Sequence, residues 1–241
     1  MTSSIPTIPI LNLSLSFLPV LIVLVILFKW SLNAGYASYA IIRMLAQLLL
    51  VGYFLAFIFE SDSAWIVLLI LAVMVFFSSW IALGTARDRR RILFKHALLS
   101  ITLGGGSTLF LVTSGVLRLE PWYLPHYMIP LAGMIFANAM NCISLAVERL
   151  AAETGRNVAY SEARRIALHT SLIPTINSLL AVGIVTLPGM MTGQILSGVS
   201  PLIAARYQIM VMCMIFGASG ISCIIFLILS RHVFKKEDGV I

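Results

Sequence analysis

The sequence predicts an all-α, polytopic integral membrane protein of about seven transmembrane helices, with the N-terminus outside and the C-terminus cytoplasmic. Three observations carry that reading. Of the 241 residues, 60% are hydrophobic and only 10% charged, a composition outside that of a water-soluble globule. Apolar runs of spanning length recur along nearly the whole chain, which makes residues 1–241 a single membrane domain. The net charge of +7 is confined to alternate connections between those runs.

The runs fall at Leu13–Lys29, Ala37–Phe59, Ala64–Ala86, Ala97–Leu117, Tyr127–Val147, Ala167–Leu187 and Tyr207–Ser230. Arg87, Arg89, Arg90, Arg91 and Lys95 follow the third; Arg149, Arg156, Arg164 and Arg165 follow the fifth; Arg231, Lys235 and Lys236 follow the last. Lys29 closes the first run and Arg43 lies early in the second. The opposite face keeps only Arg118 and Arg206, beside Glu60, Asp62 and Glu120. Basic excess on one face marks the cytoplasmic side and excludes a nucleic-acid partner as the reason for the charge. Met1–Asn12 carries no basic residue ahead of the first run, so that run is expected to stay as a membrane helix. The expected location is the cell membrane, multi-pass, in a bacterial inner or plasma membrane.

Between the first two runs the link around Trp30–Tyr36 is short, and Arg87–Lys95 makes a compact basic turn suited to anionic lipid headgroups or to plain anchoring. Gly104-Gly105-Gly106 lacks the lysine of a phosphate-binding loop and is read as close helix packing. On the outer side Trp122, Tyr123 and His126 fit an interfacial aromatic belt. Glu148–Ile166 is the longest polar segment: Glu148–Ala152 continues the fifth helix, Gly155 and Asn157 break it, and Ser161 caps the next. This elbow is either a solvated connector or a helix that docks on a cytosolic motor, in which case Glu148, Arg149, Glu153, Glu162, Arg164 and Arg165 would carry the coupling.

Leu187–Pro201 is too apolar for an ordinary external loop and too broken for a standard helix, so residues 188–204 are expected to form a re-entrant or external segment. Pro174, Gly183, Pro188, Gly189 and Gly193 are the expected bends. Arg43 and Gln47 stand at i and i+4, Asn138 and Asn141 at i and i+3, and Asn177 lies just beyond Pro174. Such groups either bond between helices or line a polar route. Met190 and Met191 are soft thioether donors or ordinary packing residues, and Gln194 completes the candidate pathway. Cys142, Cys213 and Cys223 have no metal-type spacing and are read as buried packing. The four histidines are scattered, so neither a catalytic metal nor a hydrolase triad has support, and the chain is expected not to be an enzyme.

Ile173-Pro-Thr-Ile-Asn-Ser178, Leu187-Pro-Gly-Met-Met-Thr-Gly-Gln194 and Arg206-Tyr-Gln-Ile-Met-Val211 resemble the signature block of the FetB-type (YbbM) ABC-transporter permeases. Pro130-Leu-Ala-Gly-Met134, Asn138-Ala-Met140 and the pattern of Arg43, Gln47 and Val51-Gly-Tyr53 extend the resemblance over nearly the whole chain. It implies a permease, working as a homodimer, that exports iron or another metal. ATP would be bound and hydrolysed by a separate cytosolic subunit, leaving this chain with no cofactor of its own. Plant relatives linked to aluminium tolerance imply a nucleotide sugar as the alternative cargo, and an ATP-independent channel or carrier is the alternative mechanism. Against the family pattern Glu148–Ile166 is short, so Glu153-Thr-Gly155 or Ser161-Glu-Ala-Arg164 would stand in for the docking turn.

Overall fold

The computed structural model describes residues 8–59 and 63–234. Glu60, Asp62, Lys235 and Lys236 therefore lie outside the described residues. The chain divides into two units, the first ending at Ser61 and the second beginning at Asp62.

The first unit holds α1 (Ile10–Leu15), α2 (Phe17–Lys29) and α3 (Ala34–Phe59). α1 and α2 form one apolar stretch, and α2 and α3 pack as a hairpin. The Asn33 side chain turns the chain into α3 by accepting from the Tyr36 backbone N–H at 3.0 Å. Arg43 is half-buried and Gln47 exposed within this unit.

The second unit opens with α4 (Ala64–Ala82), whose buried Val67, Val75, Ser79 and Ala82 make a single stripe. A short 3₁₀ turn, Arg87–Arg89, leads into a long helix built of α5 (Arg90–Ser100), a π-turn at Ile101–Gly105, α6 (Gly106–Phe110) and a second π-turn at Leu111–Val116. The first π-turn is where this helix meets another backbone. A Cβ on Gly104 would lie 2.5 Å from Ser222 Oγ and 2.6 Å from Ser222 N, and one on Gly105 would lie 3.0 Å from Ile135 Cγ2. Close packing is thus the role of the first two glycines of the triplet; at Gly106 nothing comes within 4 Å.

α7 (Pro125–Gly155) is the central element, packed against α4, α8 and α10. Pro125 at its start costs no hydrogen bond, and its buried positions recur every three or four residues from Met128 to Glu153. Its 31 residues span about 46 Å, well beyond the roughly 30 Å of a bilayer core, so its polar end from Glu148 projects past the membrane. α8 (Tyr160–Ala181), α9 (Gly189–Leu196), α10 (Pro201–Leu229) and α11 (Arg231–Phe234) complete the unit.

Among the described residues, six helical stretches are long and apolar enough to cross a membrane. The expected run at Ala167–Leu187 is the exception. It is a helix, but α8 begins earlier, at Tyr160, and stops at Ala181, and Glu162, Arg164, Arg165 and His169 dilute its apolar character. It nevertheless packs along both α7 and α10. Its Tyr160 hydroxyl donates to the Leu227 carbonyl at one end, and Ser178 shares a cavity with Gln208 at the other. Those markers stand about 27 Å apart along the axis, so α8 packs along its neighbours over a length close to a bilayer core while falling short of the six stretches in apolar composition.

Three sequence expectations need correction. Ser161 does not cap α8: the N-cap is Ala159 and makes no side-chain bond, because the turn at Asn157 (φ 62°) already sets the chain direction. Gly193 is no bend, since it lies inside α9, whereas Gly183 (φ 82°) occupies a left-handed turn that favours glycine. Cys142 and Cys223 are buried as expected, but Cys213 is exposed on the outward face of α10.

Candidate functional site: a cavity among α7, α8, α9 and α10

The basic segments of the second unit gather at one end. Arg89 donates to the Val233 carbonyl at 3.3 Å and stacks over Phe234 at 5.0 Å, while Arg90 sits 3.7 Å over the Trp80 ring. The elbow between α7 and α8 is at this same end, through the Tyr160–Leu227 bond. Within it Glu153 is buried and paired with Arg149 at 2.8 Å and Arg156 at 3.8 Å. Glu162 and Arg165 form an exposed two-pronged pair at 3.0 and 2.7 Å, and the guanidinium holds the Glu162 carboxyl below the usual carboxylate range. Of the six elbow residues, Arg149 and Glu153 thus join one cluster around a buried carboxylate, Glu162 and Arg165 form one surface pair, and Glu148 and Arg164 stand exposed.

Deeper in the helices lies a cavity of about 360 Å³. Asn138 and Asn141 reach it from α7, Ser171, Thr175 and Ser178 from α8, and Gln208 from α10. Pro174, Pro188, Gly189 and Met190 also line it, so four of the expected pathway and hinge positions beyond the two asparagines converge here. The wall arises from helical spacing: 171, 175 and 178 share one face of α8, and 208 and 212 one face of α10.

The hydrogen bonds decide what this wall offers. Asn138 Nδ2 donates to the Met134 carbonyl at 2.8 Å on its own helix, not across helices, and its Oδ1 remains as an acceptor beside the cavity. Ser178 donates to the Pro174 carbonyl at 3.0 Å and Ser171 to the Leu168 carbonyl at 2.9 Å. Gln208 is 6% exposed, and its Oε1 finds no hydrogen-bond partner among the described residues. Asn138, Ser171 and Ser178 thus keep oxygen lone pairs free beside the cavity, while the Asn141 and Gln208 amides and the Thr175 hydroxyl add both oxygens and donors. Such a surface can hold a cation or a polar solute.

Other expected pathway residues stand elsewhere. Asn177 is exposed, and neither it nor Met191 nor Gln194 lines the cavity. Arg43 and Gln47 belong to the first unit. The pathway expected from sequence did not include Gln208, Ser171, Thr175 or Ser178, nor the elbow Tyr160. The hydroxyl positions carried a signal in their i, i+4, i+7 spacing; Tyr160 carried none. Among the described residues no group of three or more His, Cys, Asp or Glu stands together.

The model of the uncharacterised protein family UPF0014 matches residues 10–234. The chain belongs to the UPF0014 family. A UPF0014 membrane protein of Synechocystis is 41% identical over 199 residues, covering 76% of each chain. The probable iron export permease protein FetB of Escherichia coli is 33% identical over 214 residues, 81% of this chain and 80% of its own. The ALUMINUM SENSITIVE 3 protein of Arabidopsis thaliana is 35% identical over 225 residues, 85% of this chain and 80% of its own. No solved structure matches the chain. Membership in UPF0014 agrees with a multi-pass membrane protein, and three of the four helices that wall this chain's cavity, α7, α8 and α10, meet at the elbow.

Proposed function

We propose that this chain is the membrane permease of an ATP-driven exporter whose cargo is a metal cation. The cation crosses through the cavity among α7, α8, α9 and α10, and a separate cytosolic ATP-binding subunit supplies the energy. The oxygen- and sulfur-bearing lining of that cavity is the observation that carries the reading; the name of the Escherichia coli relative, a probable iron export permease, supports it. The mechanical link is short. α7 ends at Gly155 and α8 begins at Tyr160, while the Tyr160 hydroxyl ties the elbow to α10. A push on the elbow therefore reaches three of the four cavity walls without passing through a flexible loop. Two copies of the permease would pair, one for each ATP-binding subunit.

The test is reconstitution of the full chain in lipid nanodiscs with its cytosolic ATP-binding partner. Copurification and permease-altered ATPase turnover are expected, and E162R/R165E should weaken both while leaving insertion intact. A folded partner that neither associates nor changes its turnover would remove the ATP-driven reading and leave an ATP-independent channel or carrier.

A further inference from the structure

Two cavities meet at a pair of methionines. Met134 of α7 and Met190 of α9 line the large cavity and also a smaller one of about 110 Å³, whose walls include His126, Tyr207 and Met210. Met212 and Cys142 line the large cavity further along. Four of the chain's eleven methionines thus face these two spaces. On α7, Cys142 lies two helical turns inward of Met134, about 12 Å along the axis. Sulfur donors therefore occur at successive depths, from the buried Cys142 thiol to Met210 near the outer end.

Methionine is also a common filler of irregular cores. Met128 and Met214 play that part, 5% and 2% exposed. Met134, Met190 and Met210 also pack against the core, but they and Met212 are only partly buried and border open space. A second observation at the same place points to a cationic ligand: the buried Gln208 Oε1, without a partner among the described residues, lines the large cavity one helical turn from Met212.

We infer that the wall at Met134 and Met190, with Met212, binds a soft monovalent d¹⁰ cation of the class of Cu(I) and Ag(I). The inference rests on reading the cavity as the cargo path and narrows the cargo. Thioether and thiol sulfur select soft ions, whereas carboxylates and carbonyls suit harder ones. Among the described residues no group of three or more His, Cys, Asp or Glu stands together, so the harder donors at this cavity are neutral oxygens alone. Neutral thioethers hold such an ion without adding charge. When the ion moves inward to Cys142, the thiol gives its proton to water, and the thiolate cancels the single positive charge, lowering the cost of holding it in an apolar medium.

The test uses the full chain in nanodiscs, with the exposed Cys213 replaced by Ser, titrated anaerobically with Cu(I) held by a chromogenic chelator. One Cu(I) per chain is expected, with sulfur neighbours by X-ray absorption and no displacement by excess Fe(II). M134L/M190L, which keeps side-chain volume, should weaken binding by at least about tenfold, the loss seen even for outer partners of metal ligands. M44L, on the exposed face of α3, should change nothing. Absence of Cu(I) uptake by the folded chain, a site without sulfur neighbours, or equal competition by Fe(II) would overturn the soft-ion assignment. In any of those cases N138A is measured for transport: a loss there keeps the cavity as the cargo path with a harder cargo, and full activity removes the path as well.

Discussion

The two ends of one face of α10 follow opposite packing rules. At the inner end Gly104 closes against the Ser222 backbone, and Ser219, Ser222, Cys223 and Phe226 are fully enclosed. On the same face, one to four turns toward the outer end, Gln208, Val211, Met212 and Ile215 border open volume. α7 divides the two roles between its sides, with Ile135 and Phe136 meeting the Gly105 backbone while Met134, Asn138 and Asn141 face the cavity. A membrane helix gains nothing from hiding apolar surface from lipid, so tight association has to come from close backbone approach and dispersion contacts. The glycine seam supplies that fixed reference. The cavity side can then stay loosely packed and polar without the bundle coming apart.

The sharpest way to break this contrast is at the seam. G104A puts a Cβ 2.5 Å from Ser222 Oγ, and the 2.6 and 2.8 Å approaches to Ser222 N and Cα leave only a backbone shift as relief. A loss of about 3 kcal/mol is expected, read as a lower unfolding temperature in nanodiscs and a lower yield of inserted protein. G106A, where nothing stands within 4 Å, should be neutral or gain up to about 1 kcal/mol from helix propensity. Equal behaviour of the two variants would mean that the seam is not tight.

A smaller effect is expected at the elbow. Y160F removes the hydroxyl that donates to the Leu227 carbonyl and should cost about 1 kcal/mol. Its larger signature is functional, a permease that still binds the ATPase but no longer alters its turnover. Unchanged coupling would show that α10 follows the elbow through other contacts. The smallest effect belongs to N177A. Its side chain is exposed and off the cavity, so stability should stay within about 0.5 kcal/mol and transport should match wild type. A transport defect would place the path on the outward face of α8.

These residues also show what the sequence could and could not carry. Spans such as Ala64–Ala82 were legible because apolar length is the only requirement for a lipid-facing helix. The seam was legible at Gly104 and Gly105 because small residues in a span have few other uses. Asn177 misled because it lies two residues from Thr175, about 200° round the helix, and only knowledge of which face meets α7 separates them. Met190 and Met191 are 100° apart for the same reason, and one lines the cavity while the other does not. Met134 and Met212 could not be picked out, since a methionine that lines a void and one that fills a core read alike in sequence. Arg149–Glu153 was visible as an i, i+4 pair, but the burial of Glu153 depends on elements far along the chain.

α8 bears on how the protein is made. Its first half carries Glu162, Arg164, Arg165 and His169, and it falls outside the stretches apolar enough to cross a bilayer unaided. A segment of that kind partitions poorly on its own as it leaves the insertion machinery. α7 is a far better candidate for entry and is joined to α8 only through Arg156–Ala159. Partitioning therefore favours entry of the two as a helical hairpin, with α10, synthesised later, packing against α8 afterwards. The Ser171, Thr175 and Ser178 hydroxyls that further lower the apolar character of α8 are also its contribution to the cavity wall, so what weakens this helix as an anchor is what makes the wall polar.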